Sequence, residues 1–248
     1  MANKYGVKEV ADITIFDLAT NKPILYLDTL KMTTIENTAE QSFARGGKGN
    51  PKLLSWDYNR EGTVQIQNAL MSTKSIALMT GNAVTTGITN VHQREVLTAV
   101  VGASGKSKVT PSKTALTTAG TYFAFKVSDD STEIATTLTT GDFTFADTDV
   151  PVGTQVAIYY QYATGATAQT ITISSDKFPG YVKVVGDTVV RNADTGVDEA
   201  FQIIIDKAKV QPGFTFTFQA DGDPSVFDMN LEIYRRAQDT QMYRMIKY

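Results

Sequence analysis

Cysteine is absent from the 248 residues, and histidine occurs once, at His92. The first absence excludes disulfides, thiolate nucleophiles and thiolate metal sites, and with them a secreted disulfide scaffold. The second excludes a histidine-built metal centre, because no Cys can supplement the single imidazole. A Ser-His-Asp triad would have to use His92, which sits in the polar strand entry Asn90-Val91-His92-Gln93-Arg94-Glu95. A surface or packed histidine is the expectation there. No apolar run approaches the ~20 residues that span a bilayer. The start, Met1-Ala2-Asn3-Lys4-Tyr5-Gly6, lacks the apolar core of a signal peptide. The expectation is a chain made in the cytoplasm that stays soluble or assembles there, with no membrane partner. An excess of basic charge is missing too. A formal net charge of −3 argues against a generic nucleic-acid binder, which needs a basic face.

A chain of this length can bury a sizeable core, as one large all-β domain or as a domain carrying an insertion. Hydrophobic residues make up 42% and charged ones 20%, which is ordinary for a folded protein. Thr is abundant in alternating runs, which favours strands. Alternation is strongest near the end, in Phe214-Thr215-Phe216-Thr217-Phe218 and Met229-Asn230-Leu231-Glu232-Ile233. Period two places one set of side chains in a core and the other in water or against a partner. The intervening Asp221-Gly222-Asp223-Pro224 predicts a turn joining two amphipathic strands.

Earlier in the chain, Ile13-Thr14-Ile15-Phe16 and Ile24-Leu25-Tyr26-Leu27 flank a polar connection ending in Pro23, which predicts a β-hairpin. A third strand is expected over 30–36. The segment Phe43-Ala44-Arg45-Gly46-Gly47-Lys48-Gly49-Asn50-Pro51 predicts a loop with little local order of its own. A strand pair over 53–59 and 62–68 follows. One short helix is expected over 72–80, with Ser72 as N-cap and Gly81 at the left-handed C-terminal position. Another strand is expected over 89–101. From Gly102 to Gly180 strands become short, as in Tyr122-Phe123-Ala124-Phe125, Phe143-Thr144-Phe145, Val156-Ala157-Ile158-Tyr159-Tyr160 and Thr170-Ile171-Thr172-Ile173. We read 102–180 as an inserted or elaborated β-rich region within a main domain of 1–101 plus 181–248. Strands resume at Tyr181-Val182-Lys183-Val184-Val185 and Phe201-Gln202-Ile203-Ile204-Ile205. The fold class is mainly β with one short helix.

Motifs for chemistry fail on context. Gly46-Gly47-Lys48-Gly49 has Gly where a phosphate loop needs Ser or Thr, with Pro51 and a strand pattern beyond it in place of a helix. Asp221-Gly222-Asp223-Pro224 lacks the further oxygen ligands of a calcium loop. Ser174-Ser175-Asp176-Lys177 spells S-x-x-K but closes a strand. Trp56 and Tyr58 share one strand face and could meet a sugar or a base, though core or interface packing is the stronger reading. No carboxylate pair is marked by context, and no catalytic residue, cofactor or metal site is expected. Charge is uneven: Asp129, Asp130, Glu133, Asp142, Asp147 and Asp149 occur without an intervening Lys or Arg. Arg235, Arg236, Arg244 and Lys247 make the C-terminus basic. Complementary patches of this kind can steer one subunit onto another, or be solvated loops.

The run Leu54-Ser55-Trp56-Asp57-Tyr58 into Gly62-Thr63-Val64-Gln65-Ile66, the helix at 72–80 and the ending from Phe214 to Met229 resemble the tail-tube (major tail) proteins of tailed bacteriophages. The resemblance covers roughly 7–101 and 181–234. It implies a tail-tube-like β-sandwich or barrel, hexameric rings joined sheet to sheet, and rings stacked into a hollow conduit for DNA. It implies a virion tail component assembled in the host cytoplasm, with no enzymatic role. Expected partners are identical copies, a tape measure protein in the lumen, and a sheath where the tail contracts; viral DNA transits without specific binding. By the same resemblance, the loop of Phe43, Arg45, Gly46, Gly47, Lys48, Gly49, Asn50 and Pro51 would order on docking to the next ring. Polar rows such as Thr63, Gln65 and Gln67, or Thr215 and Thr217, would line the bore. The inserted region would decorate the outside. Two alternatives stay open: a capsid decoration or head-fibre protein, and a carbohydrate-binding β module using Trp56, Tyr58, Tyr159, Tyr160 and Tyr162.

Overall fold

The computed structural model describes residues 4–218, 220–221 and 226–248, with the backbone alone at 129–131. The chain divides into two compact units: Met1–Val84 with Ile171–Tyr248, and Thr85–Thr170. The first unit opens with β1 (Tyr5–Val7), β2 (Asp12–Asp17), β3 (Pro23–Leu27), β4 (Leu30–Arg45), β5 (Lys52–Asn68) and α1 (Thr73–Thr80). The second holds β6 (Thr85–Thr86), β7 (Asn90–Thr98), β8 (Val100–Val101), β9 (Lys106–Val109) and β10 (Tyr122–Lys126). It continues with β11 (Asp129–Glu133), β12 (Thr137–Thr139), β13 (Asp142–Ala146), β14 (Gln155–Ala163) and β15 (Gln169–Thr170). The chain then returns to the first unit with β16 (Tyr181–Asn192), β17 (Asp198–Val210), β18 (Phe227–Ile233) and β19 (Arg244–Lys247).

In the first unit the strands pair antiparallel in the order β3-β2-β16-β17-β18-β5-β4, with β1 added to β16 and β19 to β17. Alternate residues build one core: Ile13 and Ile15, Val64 and Ile66, Val182 and Val184, then Met229, Leu231 and Ile233. The helix contributes Met79 to the same core. Its start is fixed by a reciprocal pair in which the Ser75 amide donates to the Ser72 hydroxyl and the Ser72 amide to the Ser75 hydroxyl, both at 3.1 Å. Its end is fixed by Gly81 at φ +72°, where a Cβ would stand 2.3 Å from the Phe178 carbonyl oxygen. Gly81→Ala therefore combines left-handed strain with a backbone clash, and should lower stability by about 2–4 kcal/mol in urea denaturation.

The second unit starts at Thr85 and ends at Thr170, whereas 102–180 was the expected insertion. The reason is β7, which pairs with β14 from Asn90↔Ala163 to Thr98↔Gln155. Two four-stranded sheets, β11-β10-β14-β7 and β12-β13-β9-β8, share a core around Phe143, Phe145, Val156, Ile158 and Tyr160. The strand expected over 89–101 breaks at buried Ala99, where the chain passes from one sheet to the other. Of the strand expected over 170–173, only Thr170 joins a ladder, beside Gln169 and against Thr85–Thr86.

Three further expectations change in the first unit. The third strand runs to Arg45 instead of ending near Glu36, and the expected pair over 53–68 is the single strand β5. The turn-like Asn59-Arg60-Glu61-Gly62 is a bulge: Asn59 takes φ +49° and the register steps from Thr38↔Glu61 to Glu40↔Tyr58. Phe214 to Phe218 is not a strand. Gln211 still donates its amide to the Asn230 carbonyl, after which Pro212 and Gly213 take the chain out of the ladder. Two of the three rings pack, Phe214 against Phe216 and Phe216 stacked on Phe227, while Phe218 is 90% exposed. The partners of β18 are β17 and β5. Of the expected turn at 221–224, residues 222–224 lie outside the described residues.

Candidate functional site

Pairing of β18 with β5 covers only Thr63 to Asn68. Beyond that point residues 37–45 of β4 and 52–61 of β5 have each other as their only ladder partner among the described residues, and form a two-stranded arm tied at its base by the Asn37 amide to the Tyr243 hydroxyl. Its surface is unusually apolar for one so open: Leu53 and Leu54 are 61% and 62% exposed, Trp56 54% and Tyr58 46%. The register sets Leu54, Trp56 and Tyr58 on one face, opposite Ala44, Ser42 and Glu40. On the other face the Lys52 ammonium lies 3.5 Å from the Phe43 ring centroid, and the Gln41 amide donates to Asp57 at 2.8 Å. Trp56 and Tyr58 are therefore not core residues.

The expected loop of Phe43 to Pro51 is shorter than predicted, because Phe43 and Arg45 belong to β4. Gly46, Gly47, Lys48, Gly49, Asn50 and Pro51 make the turn at the arm's tip, closed by the Gly46 amide on the Pro51 carbonyl and the Asn50 amide on the Gly47 carbonyl. Gly47 and Gly49 sit at φ +80° and +84°, so backbone geometry accounts for these glycines. Arg45, Lys48 and Lys52 make the tip basic. The turn joins strand to strand, so no helix amides gather there for phosphate.

Thr63, Gln65 and Gln67 point away from the core, since Val64, Ile66 and Asn68 between them are buried. Pairing brings Glu232, Asn230 and Asp228 of β18 beside them on one side, and Glu36, Thr34 and Met32 of β4 on the other. The result is a polar face holding three carboxylates and no cation. Gln67 donates to Asp228 at 3.1 Å. Hydrogen bonds from Tyr234 and Gln211 hold the Glu232 carboxyl below its ordinary range, and the same bond pushes the Tyr234 hydroxyl up to about 12. Over the next two strands, β17 and β16, the sign reverses. Lys207 and Lys209 lie 4.3 and 5.8 Å from the Tyr181 ring centroid, and Lys183 lies 5.6 Å from that of Phe16. Those lysines were missed, although Lys207-Ala208-Lys209-Val210 alternates visibly. The structure does not bring Thr215 and Thr217 onto this row; they lie in the irregular segment after Gly213.

Most of the basic C-terminus closes on its own chain. Arg236 approaches Asp239 at 2.9 Å and Asp206 at 3.6 Å, Arg244 approaches Asp206 at 3.7 Å, and Lys247 pairs with Glu199. Arg235 alone of the four is exposed with no ion pair among the described residues. The bond from Lys247, then that from Asn192, holds the Glu199 carboxyl below its ordinary value; Glu199, then Tyr5, raises Lys247. A depressed carboxyl stabilises above its unfolded pKa and loses that effect as pH falls through the folded one. A raised ammonium stabilises below its unfolded pKa and loses that effect as pH rises through the folded one. The hold on β19 should thus be greatest between the ordinary Glu and Lys ranges and fall off at both ends. Protection factors of the 244–247 amides should show this bell, and Lys247→Ala should flatten it.

Among the described residues no group of three His, Asp or Glu side chains could hold a metal ion. His92 is exposed on β7, and Ser174 to Lys177 opens no helix. No curated protein matches the chain. A family match spans residues 5–247, taking in both units. The chain belongs to the YomU/Tube protein family, in agreement with the tail-tube resemblance of its sequence.

Proposed function

We propose that the protein is the repeating subunit of a bacteriophage tail tube, with hexameric rings stacking into a conduit through which DNA leaves the virion. The observation that carries this reading is the arm. A two-stranded ribbon is marginal in water, and this one leaves Leu53, Leu54, Trp56 and Tyr58 in solvent. Burying such a side chain is worth about 1.5–3 kcal/mol. Four of them offset a large part of the roughly 4–15 kcal/mol cost of association. The sheet also stays open, with β3 and β4 at its two ends. Open edges pair indiscriminately unless something covers them. A head-to-tail contact between identical copies closes a ring, and the ring's remaining faces allow stacking.

In this reading the face of Thr63, Gln65 and Gln67 lines the bore. Its carboxylates Glu36, Asp228 and Glu232 share the sign of phosphate and offset the neighbouring lysines, Lys209 standing directly across from Glu232, so DNA meets no excess of the basic charge that dominates nucleic-acid affinity. A tape measure protein fills the same bore before ejection. The arm, with its basic tip, reaches a neighbouring copy. The second unit lies on the outside of the ring, against a sheath in a contractile tail or solvent otherwise. The subunit works as a structural part and assembles in the host cytoplasm. Negative-stain micrographs of the purified chain at high concentration test this. Hollow tubes with a regular axial repeat are expected; dispersed compact particles would reject the proposal.

A further inference from the structure

The second unit carries a cleft on the side of its β10-β14-β7 sheet that faces away from the core. Two alternate rungs form it. On one, Phe123, Tyr159 and Arg94 stand abreast; on the next, Thr121, Gln161 and His92 continue the same face. Tyr160, between the rungs, points into the core at 1% exposure, and Tyr162 packs against that core. Of the neighbouring tyrosines, Tyr159 is thus the one whose ring is offered outward. It is 37% exposed, and Phe123 beside it 39%. The Arg94 Nε–H donates to the Tyr159 hydroxyl at 3.0 Å and its guanidinium lies 5.6 Å from the ring centroid, so ring and cation are held together. Phe125 meets the same ring edge-on at 5.8 Å. His92 and the Gln161 amide approach to 3.4 Å. The cleft is about 220 Å³ and its lining includes Arg94 but no carboxylate.

We propose that this cleft binds an anionic saccharide unit, a sugar carrying a carboxylate or phosphate. A pyranose has an apolar C–H face, which a fixed aromatic ring accommodates, and a rim of hydroxyls, which planar amide and imidazole groups match as donors and acceptors. Arg94 supplies a cation whose remaining N–H groups have no carboxylate partner in the lining, and guanidinium suits carboxylate and phosphate geometry. A volume below the roughly 300 Å³ at which drug-sized sites begin limits the site to about one sugar unit. This proposal is independent of the tube reading, because it uses neither the arm nor the first unit.

Saturation-transfer NMR on the intact chain, observing the ligand, tests it with glucuronate, glucose 6-phosphate, glucose and inorganic phosphate. Glucuronate or glucose 6-phosphate should bind at least about tenfold tighter than glucose, and inorganic phosphate should bind far more weakly than either. Tyr159→Ala should abolish binding of every sugar, and Arg94→Gln should erase the preference for the charged ones. His92→Ala, on an exposed strand position, gives a variant that retains the fold and should weaken binding. No binding by any of these sugars, phosphate binding as tightly as the sugar phosphate, or sugar binding unchanged in the Tyr159 and Arg94 variants would each overturn the proposal.

Discussion

If the arm joins copies into a tube, replacing Leu54 and Trp56 together by Asp should abolish tube formation and leave the subunit folded. Both side chains stand on one face of the arm, across from Ala44 and Ser42, and neither belongs to the core of the first unit. Exposed positions of this kind change monomer stability by about 0.5 kcal/mol or less. In an interface they are costly, because an unpaired carboxylate must either stay hydrated and hold the surfaces apart or be buried alone. Each burial costs several kcal/mol. In the proposed ring, two substitutions per contact, repeated at every arm, should shift association by many orders of magnitude at about 1.4 kcal/mol per tenfold. Sedimentation velocity should show monomer at concentrations where the parent polymerises, with the urea midpoint nearly unchanged. Tubes assembled normally by the double variant would remove the arm from the contact.

Much of the fold is legible because period two survives wherever one strand face is buried. Ile13 and Ile15, Val64 and Ile66, and Met229, Leu231 and Ile233 all alternate with polar residues and all enter the core. The arm hides for the complementary reason. Both of its faces are exposed, so residues 37–45 lack the pattern, and Asn59-Arg60 looks like the end of a strand when it is a bulge inside one. Phe214 to Phe218 misleads in the opposite way: Phe214 and Phe216 alternate because their rings pack together, but periodicity cannot report whether the backbone has a ladder partner. The row of Thr63, Gln65 and Gln67 is readable from its own strand. The carboxylates beside it are not, since Asp228 and Glu232 arrive from a strand far along the chain.

Phe143→Ala should separate the two units energetically. Phe143 is fully buried, with its ring 5.6 Å from that of Tyr122 at 75° and 5.8 Å from that of Tyr160. Truncating such a residue costs about 3–5 kcal/mol, from lost transfer energy plus the cavity left behind. A unit the size of Thr85–Thr170 has about 5–15 kcal/mol in total, so a large share of its margin goes. At roughly 4–8 °C per kcal/mol for a domain near this size, its melting temperature should fall by about 12 °C or more. The first unit has its own core, with no residue in common, and should melt where it did before. Scanning calorimetry of the variant should therefore show one transition displaced downward and one unmoved. Because the arm and the open sheet belong entirely to the first unit, tubes should still form below the displaced transition, with the second unit intact. Above it they should persist with that unit unfolded. A single transition, or loss of tubes at the first one, would show instead that the second unit helps hold the assembly together.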